Sequence, residues 1–266
     1  DEWLTTVEKF TFCRFKDIGK IRVGVKTTAD KIFIKSDWEK LPQEEQPELL
    51  RADITHHIAH PYKTTQLVPK RKILYTHKIE NGKRVAIDIH QYPKTAAYLY
   101  QHRSFLEQRS YITDSGRNWF EIWVPQDPNA WALPKLVFRD ITETPTFWLD
   151  LSGFVVNGDC YWLACVDPSQ MDLLWLALAV GNSSFVMAFY DRKFNNKLYA
   201  GRRRFMTQYT EQFPIPDPHS NISKRIIELT QKIYDSLPKG DTQHLQIELN
   251  KLVWQAFGLP VKEVAG

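Results

Sequence analysis

"KILYTHKIENGKRVAIDIHQYPKTAAYLYQHRSFLEQR", Lys72 to Arg109, changes its periodicity halfway along. The first half sets two apolar runs around Asn81-Gly82, a dipeptide that tolerates the positive φ angles of a tight hairpin turn. Pro93 then suits the first turn of a helix, where a missing N–H costs nothing, and that helix is predicted to end near Arg109. A hairpin followed directly by a helix points to an α+β fold, with mixed, mostly antiparallel sheets and packed helices.

Upstream, "IGKIRVGVKTTADKIFI" (Ile18–Ile34) alternates and is rich in Val and Ile, which predicts two strands joined around a Gly24–Asp30 loop. "KLPQEEQPELL" reads as a polar loop running into a short helix. Downstream, strands are expected at "WFEIWV", "PKLVFRDI", "TFWLDLSGFVV" and "CYWLACV". "MDLLWLALAV" is expected to be a buried helix that stops at Gly181-Asn182. The last two periodic segments, "NISKRIIELTQKIYDSL" and "TQHLQIELNKLVWQAFGL", predict a C-terminal helical hairpin, capped by Ser220 or Asn221 and turning at Gly240. The proline run Pro214, Pro216 and Pro218 divides the chain into residues 1–218 and a hairpin over 219–266.

Net charge is only +4, but it is unevenly spread. "RKFNNKLYAGRRR" (Arg192–Arg204) carries six basic residues and no acid; Lys63–Arg84 carries seven against Glu80 alone. Basic patches on a nearly balanced total suit a polyanion-binding face. Phe194, Tyr199 and Phe205 add rings to the first patch, and its asparagines suit adenine, which Asn pairs with bidentately. Trp131, Trp148 and Trp162 read as core residues. Three cysteines without metal-site spacing, and no secretory leader, predict a reduced, cytoplasmic protein without disulfides. The longest apolar run, Leu173–Val180, is far below the ~20 residues of a membrane span. The chain starts at Asp1 rather than methionine, so it is expected to be cut from something longer.

Signs of catalysis are missing. The sequence holds no Gly-x-Gly-x-x-Gly, P-loop, Cys-x-x-Cys or Gly-x-Ser-x-Gly. His56, His57 and His60 tempt a metal reading, but no third ligand is signposted, so they read as surface or packing histidines. The chain by itself is expected to hold no metal and no cofactor.

The order of these segments resembles the target recognition region of TaqI-type adenine-specific DNA methyltransferases and of Type IIG restriction-modification enzymes. "PELLRADITHHIAHPY" is similar to their Glu-Leu-Leu-Arg-Pro-x-Ile segment, and "YPKTAAYLYQHRSFLEQR" to their Tyr-Pro-x-x-x-x-Tyr-Leu helix. "WFEIWVP" with "LPKLVFRDIT", and then "LLWLALAVGNSSFVMAFY", follow in the family's order. "YAGRRRFMTQYTEQFPIPDP" looks like its Leu-Glu-x-Phe-Pro-Ile-Pro stretch. The opening Ile18–Ile34 segment resembles Gly-x-x-Thr-Gly-x-x-x-x-Phe, but Thr28 replaces the second glycine, which predicts a differently shaped loop. The family's Phe-x-Gly-x-Gly and Asn-Pro-Pro-Tyr do not occur, and "PQDPNAW" is no substitute.

The resemblance implies a module that recognises sequence in double-stranded DNA. It would work with a methyltransferase catalytic domain, in cis or in trans, that takes a flipped adenine and uses S-adenosylmethionine. Its expected contacts are Arg202, Arg203 and Arg204, then Lys193, Asn195 and Asn196, with Lys26 and Thr27 in the first loop. Arg117 sits beside a glycine turn, and Lys135 and Arg139 lie on a family strand where structural and contact roles are both open. Competing readings are a fragment of a Type I specificity subunit and a non-catalytic protein-interaction module.

Overall fold

The strand Lys135–Arg139 divides the protein into two cores. Leu136 and Phe138 face one hydrophobic cluster and Val137 the other; in the neighbouring strand Phe147 and Leu149 face the first and Trp148 the second. Successive side chains of a strand point to opposite faces, so a sheet covered on both sides is apolar through the middle of its strands. The computed structural model describes residues 1–261.

This central sheet is antiparallel and four-stranded, in the order Phe147–Asp150, Lys135–Arg139, Cys160–Ala164, Ile21–Val23. On its first face lie the helices Met171–Gly181, Ser184–Phe194, Asn221–Ser236 and Gln243–Ala256. Leu173–Gly181 is buried without a break. A Cβ on Gly181 would come within 2.7–2.9 Å of the Phe147 ring, so only glycine lets this helix lie so close to the sheet. Among the described residues, no single helix is long and apolar enough to cross a membrane. The last two helices form the expected hairpin, with the Ser220 hydroxyl accepting from the Ser223 amide at 3.2 Å. Their buried stripes, from Ile226 to Ile233 and from Leu245 to Trp254, merge into the first core.

The second face packs on a smaller sheet, ordered Val155–Val156, Leu50–Ile54, Lys72–Leu74, Ile34–Lys35. Trp131, Trp148 and Trp162 are all buried between the two. The Asn81-Gly82 turn has φ of 51° and 74° and closes the hairpin His77–Glu80 with Lys83–Ala86. Together these elements make the fold α+β with mostly antiparallel sheets.

Four local expectations are corrected. The helix from Pro93 ends at Gln101, and a separate short helix, Arg103–Glu107, follows His102 instead of one helix running to Arg109. Ile18–Ile34 does not form a hairpin: Ile21–Val23 joins the central sheet, Asp30–Phe33 makes one helical turn, and Ile34–Lys35 joins the smaller sheet. The Lys40–Leu50 loop runs through the short turn Gln43–Glu45 into the strand Leu50–Ile54 rather than into a helix. "WFEIWV" is not a strand, because side chains have taken its backbone partners. The Ile122 amide donates to His77 Nε2 at 3.0 Å, and Arg117 donates to the carbonyls of Ile122 and Trp123.

Candidate nucleic-acid interface

The basic window Arg192–Arg204 folds into a projecting tip on a braced base. Helix Ser184–Phe194 ends where Asn195 takes the left-handed conformation at φ 47°, turning the chain outward. At the far end, Ala200 and Gly201 have φ of 59° and 71°, and the Leu198 amide donates to the Arg202 carbonyl at 2.8 Å. Tyr199 stands at the apex, 90% exposed. Arg202 also faces solvent, its side chain held among the described residues by a 3.4 Å bond to the Tyr199 carbonyl. Lys193, Asn195 and Lys197 are exposed on the same segment.

The next two arginines turn the other way. Arg203 is buried and grips Asp191 with both arms of its fork, Nε to Oδ1 at 2.7 Å and Nη2 to Oδ2 at 2.8 Å. Burial alone would raise the Asp191 carboxyl, but bonds from Arg203 and Lys197 hold it below the usual carboxylate range. Arg204 is half-buried and binds Asp140 through Nε at 3.2 Å and Nη2 at 2.7 Å. The pair Arg203–Arg204 also forms a short ladder with Ile141–Thr142. Of the window's rings, Phe205 is fully buried and Phe194 packs on Tyr190 and Tyr209, which leaves Tyr199 outside. Asn196 donates to the Tyr209 hydroxyl at 2.8 Å.

The remaining predicted contacts lie elsewhere. Lys135 is fully buried, donating to the Trp131 carbonyl at 2.7 Å and pairing closely with Asp150, whose oxygens also cap the Ser152 and Phe154 amides. Arg139, half-buried, ends that strand opposite Cys160. Arg117 is tied to Glu121 at 3.2 Å and lies over the Trp123 ring. Thr27 is buried, its hydroxyl donating to Asp30 and its carbonyl accepting from Arg109 Nη1 at 2.9 Å. Lys26 is exposed, with its backbone paired to Val124. Thr28, in the place of the resembled glycine, has φ 59°. The left-handed shape that glycine would supply is therefore kept by a β-branched residue under strain.

Around Lys26 the tertiary structure builds a cleft of about 890 Å³ that sequence reading missed. Its walls come from the loop Val25–Ile32, from His102 and Phe105, and from the turn Asn157–Asp159. These three segments are far apart in the chain, so no local pattern marks them. The predicted residues thus separate into a tip at 193–202 and a cleft at Lys26, with a set of internal braces between. His56 forms a close hydrogen bond with Asp159, and no group of metal ligands is found among the described residues.

Residues 98–215 match the TaqI-like C-terminal specificity domain. The chain is 40% identical over 261 residues to the Type II methyltransferase M.BanIII of Aneurinibacillus aneurinilyticus, covering 97% of this chain and 45% of that protein. It is 25% identical over 205 residues to the Type II methyltransferase M.BstVI of Geobacillus stearothermophilus, covering 76% of this chain and 34% of that one. The chain therefore spans less than half the length of these curated relatives. Its fold matches that of the Type IIL restriction-modification enzyme MmeI, solved in complex with DNA, with a TM-score of 0.63 at 15% identity over 95% of this chain and 34% of that one.

Proposed function

We propose that this chain, whose residues 98–215 match the TaqI-like C-terminal specificity domain, is the part of an adenine-specific DNA methyltransferase, or combined restriction-modification enzyme, that selects the sequence in double-stranded DNA. The observation that carries this reading is the tip at 193–202. An exposed tyrosine and the exposed cations Lys193 and Arg202 stand on a base fixed by two forked arginine–carboxylate pairs.

Its parts divide the work. Arg202 and Lys193 neutralise phosphates and set register, Tyr199 packs against the duplex, and the exposed Asn195 amide meets a base edge. Lys26 and Arg139 add cations away from the tip. Arg203, Arg204 and Lys135 act by holding the scaffold, because their charges are already matched by Asp191, Asp140 and Asp150.

S-adenosylmethionine would supply the methyl group in a catalytic portion carried outside these residues. The residues present do not fit that cofactor: no two of the 11 glycines are spaced Gly-x-Gly, and Asn-Pro-Pro-Tyr does not occur. No step through it is assigned to this chain.

Fluorescence anisotropy with labelled duplex DNA at a series of salt concentrations tests the reading. Binding is expected to weaken steeply with salt and to enrich one short sequence from a randomised pool. Absence of duplex binding at low salt would refute the proposal.

A further inference from the structure

The cleft beside Lys26 has the make-up of a nucleotide site. Val25, Ala29 and Ile32 give it apolar walls, and the Phe105 ring, 56% exposed although it lies on the wall, offers a flat face. Lys26 and Lys31 are exposed on the same lining, and among the described residues neither is engaged in an ion pair. Asn157, Asp159 and Asp30 supply polar groups. Asp159 is committed to His56 and to the Asn157 amide, and one Asp30 oxygen to the Thr27 hydroxyl. The second Asp30 oxygen accepts no hydrogen bond from the described residues and is open to a donor.

The site is rigid. The loop is clamped from below by Arg109 and bridged to the turn opposite, where Val25 pairs with Asn157. A Cβ on Gly158 would meet the Val25 carbonyl at 2.7 Å, so the two walls meet without room for a side chain. The strained Thr28 lies on the same lining. A volume of about 890 Å³ lies within the range of small-ligand pockets.

We infer that this cleft binds a single nucleotide unit, with the base stacked on Phe105, an exocyclic amino group donated to Asp30, and the phosphate held by Lys26 and Lys31. A base with an exocyclic amino group (adenine, cytosine or guanine) is favoured over thymine, which has no such donor. The unit comes either from DNA held by the tip, which rests on the function proposed above, or from free nucleotide.

The test titrates the 266-residue chain with dAMP, dCMP, dTMP and inorganic phosphate, following a Phe105→Trp variant by its fluorescence and the unaltered chain by calorimetry. Saturable binding of dAMP or dCMP, about tenfold tighter than dTMP, is expected. Phe105→Ala is expected to weaken it about tenfold without moving the melting temperature, since the ring is largely exposed. Duplexes carrying 2-aminopurine separate the sources. A rise in fluorescence that Phe105→Ala abolishes assigns the unit to DNA, and nucleotide binding without that rise assigns it to free nucleotide. No saturable nucleotide binding, or phosphate binding as tightly as the nucleotides, overturns the inference. Duplex anisotropy measured alongside shows whether the DNA-binding reading fails with it or survives alone.

Discussion

Arg203 and Asp191 meet fork to carboxylate at 2.7 and 2.8 Å, twelve residues apart in sequence, and this pair fixes which arginine of the triplet reaches outward. With Arg203 drawn in, Arg202 is left facing solvent beside Tyr199. The two arginines are expected to differ on substitution. Arg202→Ala should weaken duplex binding several-fold and reduce the salt slope by roughly one unit, with an unchanged melting temperature. Arg203→Ala leaves the half-buried Asp191 carboxylate with Lys197 alone and should cost roughly 1–2 kcal/mol of stability. Anisotropy and thermal unfolding of both variants check this, and equal behaviour would refute it.

Lys135 and Asp150 form an ion pair with almost no exposure of either side chain. Burial pulls the lysine's pKa down, opposed by Asp150 beside it. Removing one partner leaves the other charge uncompensated, so Lys135→Ala should destabilise by about 3–5 kcal/mol in urea unfolding. DNA binding should fall only as far as the folded fraction does. A stable Lys135→Ala variant that fails to bind would instead make Lys135 a contact.

His77 is buried, and its pKa is lowered to about 3 by that burial and by Arg117 and Arg84 nearby. Its Nε2 accepts the Ile122 amide, which requires an unprotonated ring nitrogen. The unfolded chain takes up a proton near pH 6.5 and the folded protein does not until about pH 3. Stability from this group is therefore complete above pH 6.5 and lost as pH falls toward 3, with a slope up to about 1.4 kcal/mol per pH unit. Urea midpoints between pH 7 and 4 should fall less steeply in His77→Gln than in the unaltered protein.

Thr28 at φ 59° bears strain that glycine would not. A non-glycine residue in the left-handed region costs about 1–2 kcal/mol, and glycine's greater freedom in the unfolded chain returns about half of that. Thr28→Gly is expected to raise stability by up to about 1 kcal/mol in thermal unfolding. A clear loss would mean that the Thr28 hydroxyl, which donates to the Thr27 carbonyl at 2.6 Å, outweighs the strain.

Local signals carried the elements that depend on near neighbours. The Asn81-Gly82 hairpin, the helix from Pro93, the buried Met171–Gly181 helix and the terminal pair could be read because turn chemistry and apolar spacing act within a few residues. Even the order of motifs that marked the specificity domain was a linear property. Tertiary structure decided the pairings and the direction of each charge. Ile21–Val23 finds its partner some 140 residues away, and "WFEIWV" loses its strand to His77 and Arg117. The window Arg192–Arg204 contains no acid, yet Asp191 lies one residue before it and Asp140 reaches it from another strand. A count of charges along the chain is blind to that, because an ion pair depends on distance in space. Folding therefore neutralised two arginines of the triplet and left the third, with Tyr199, facing solvent.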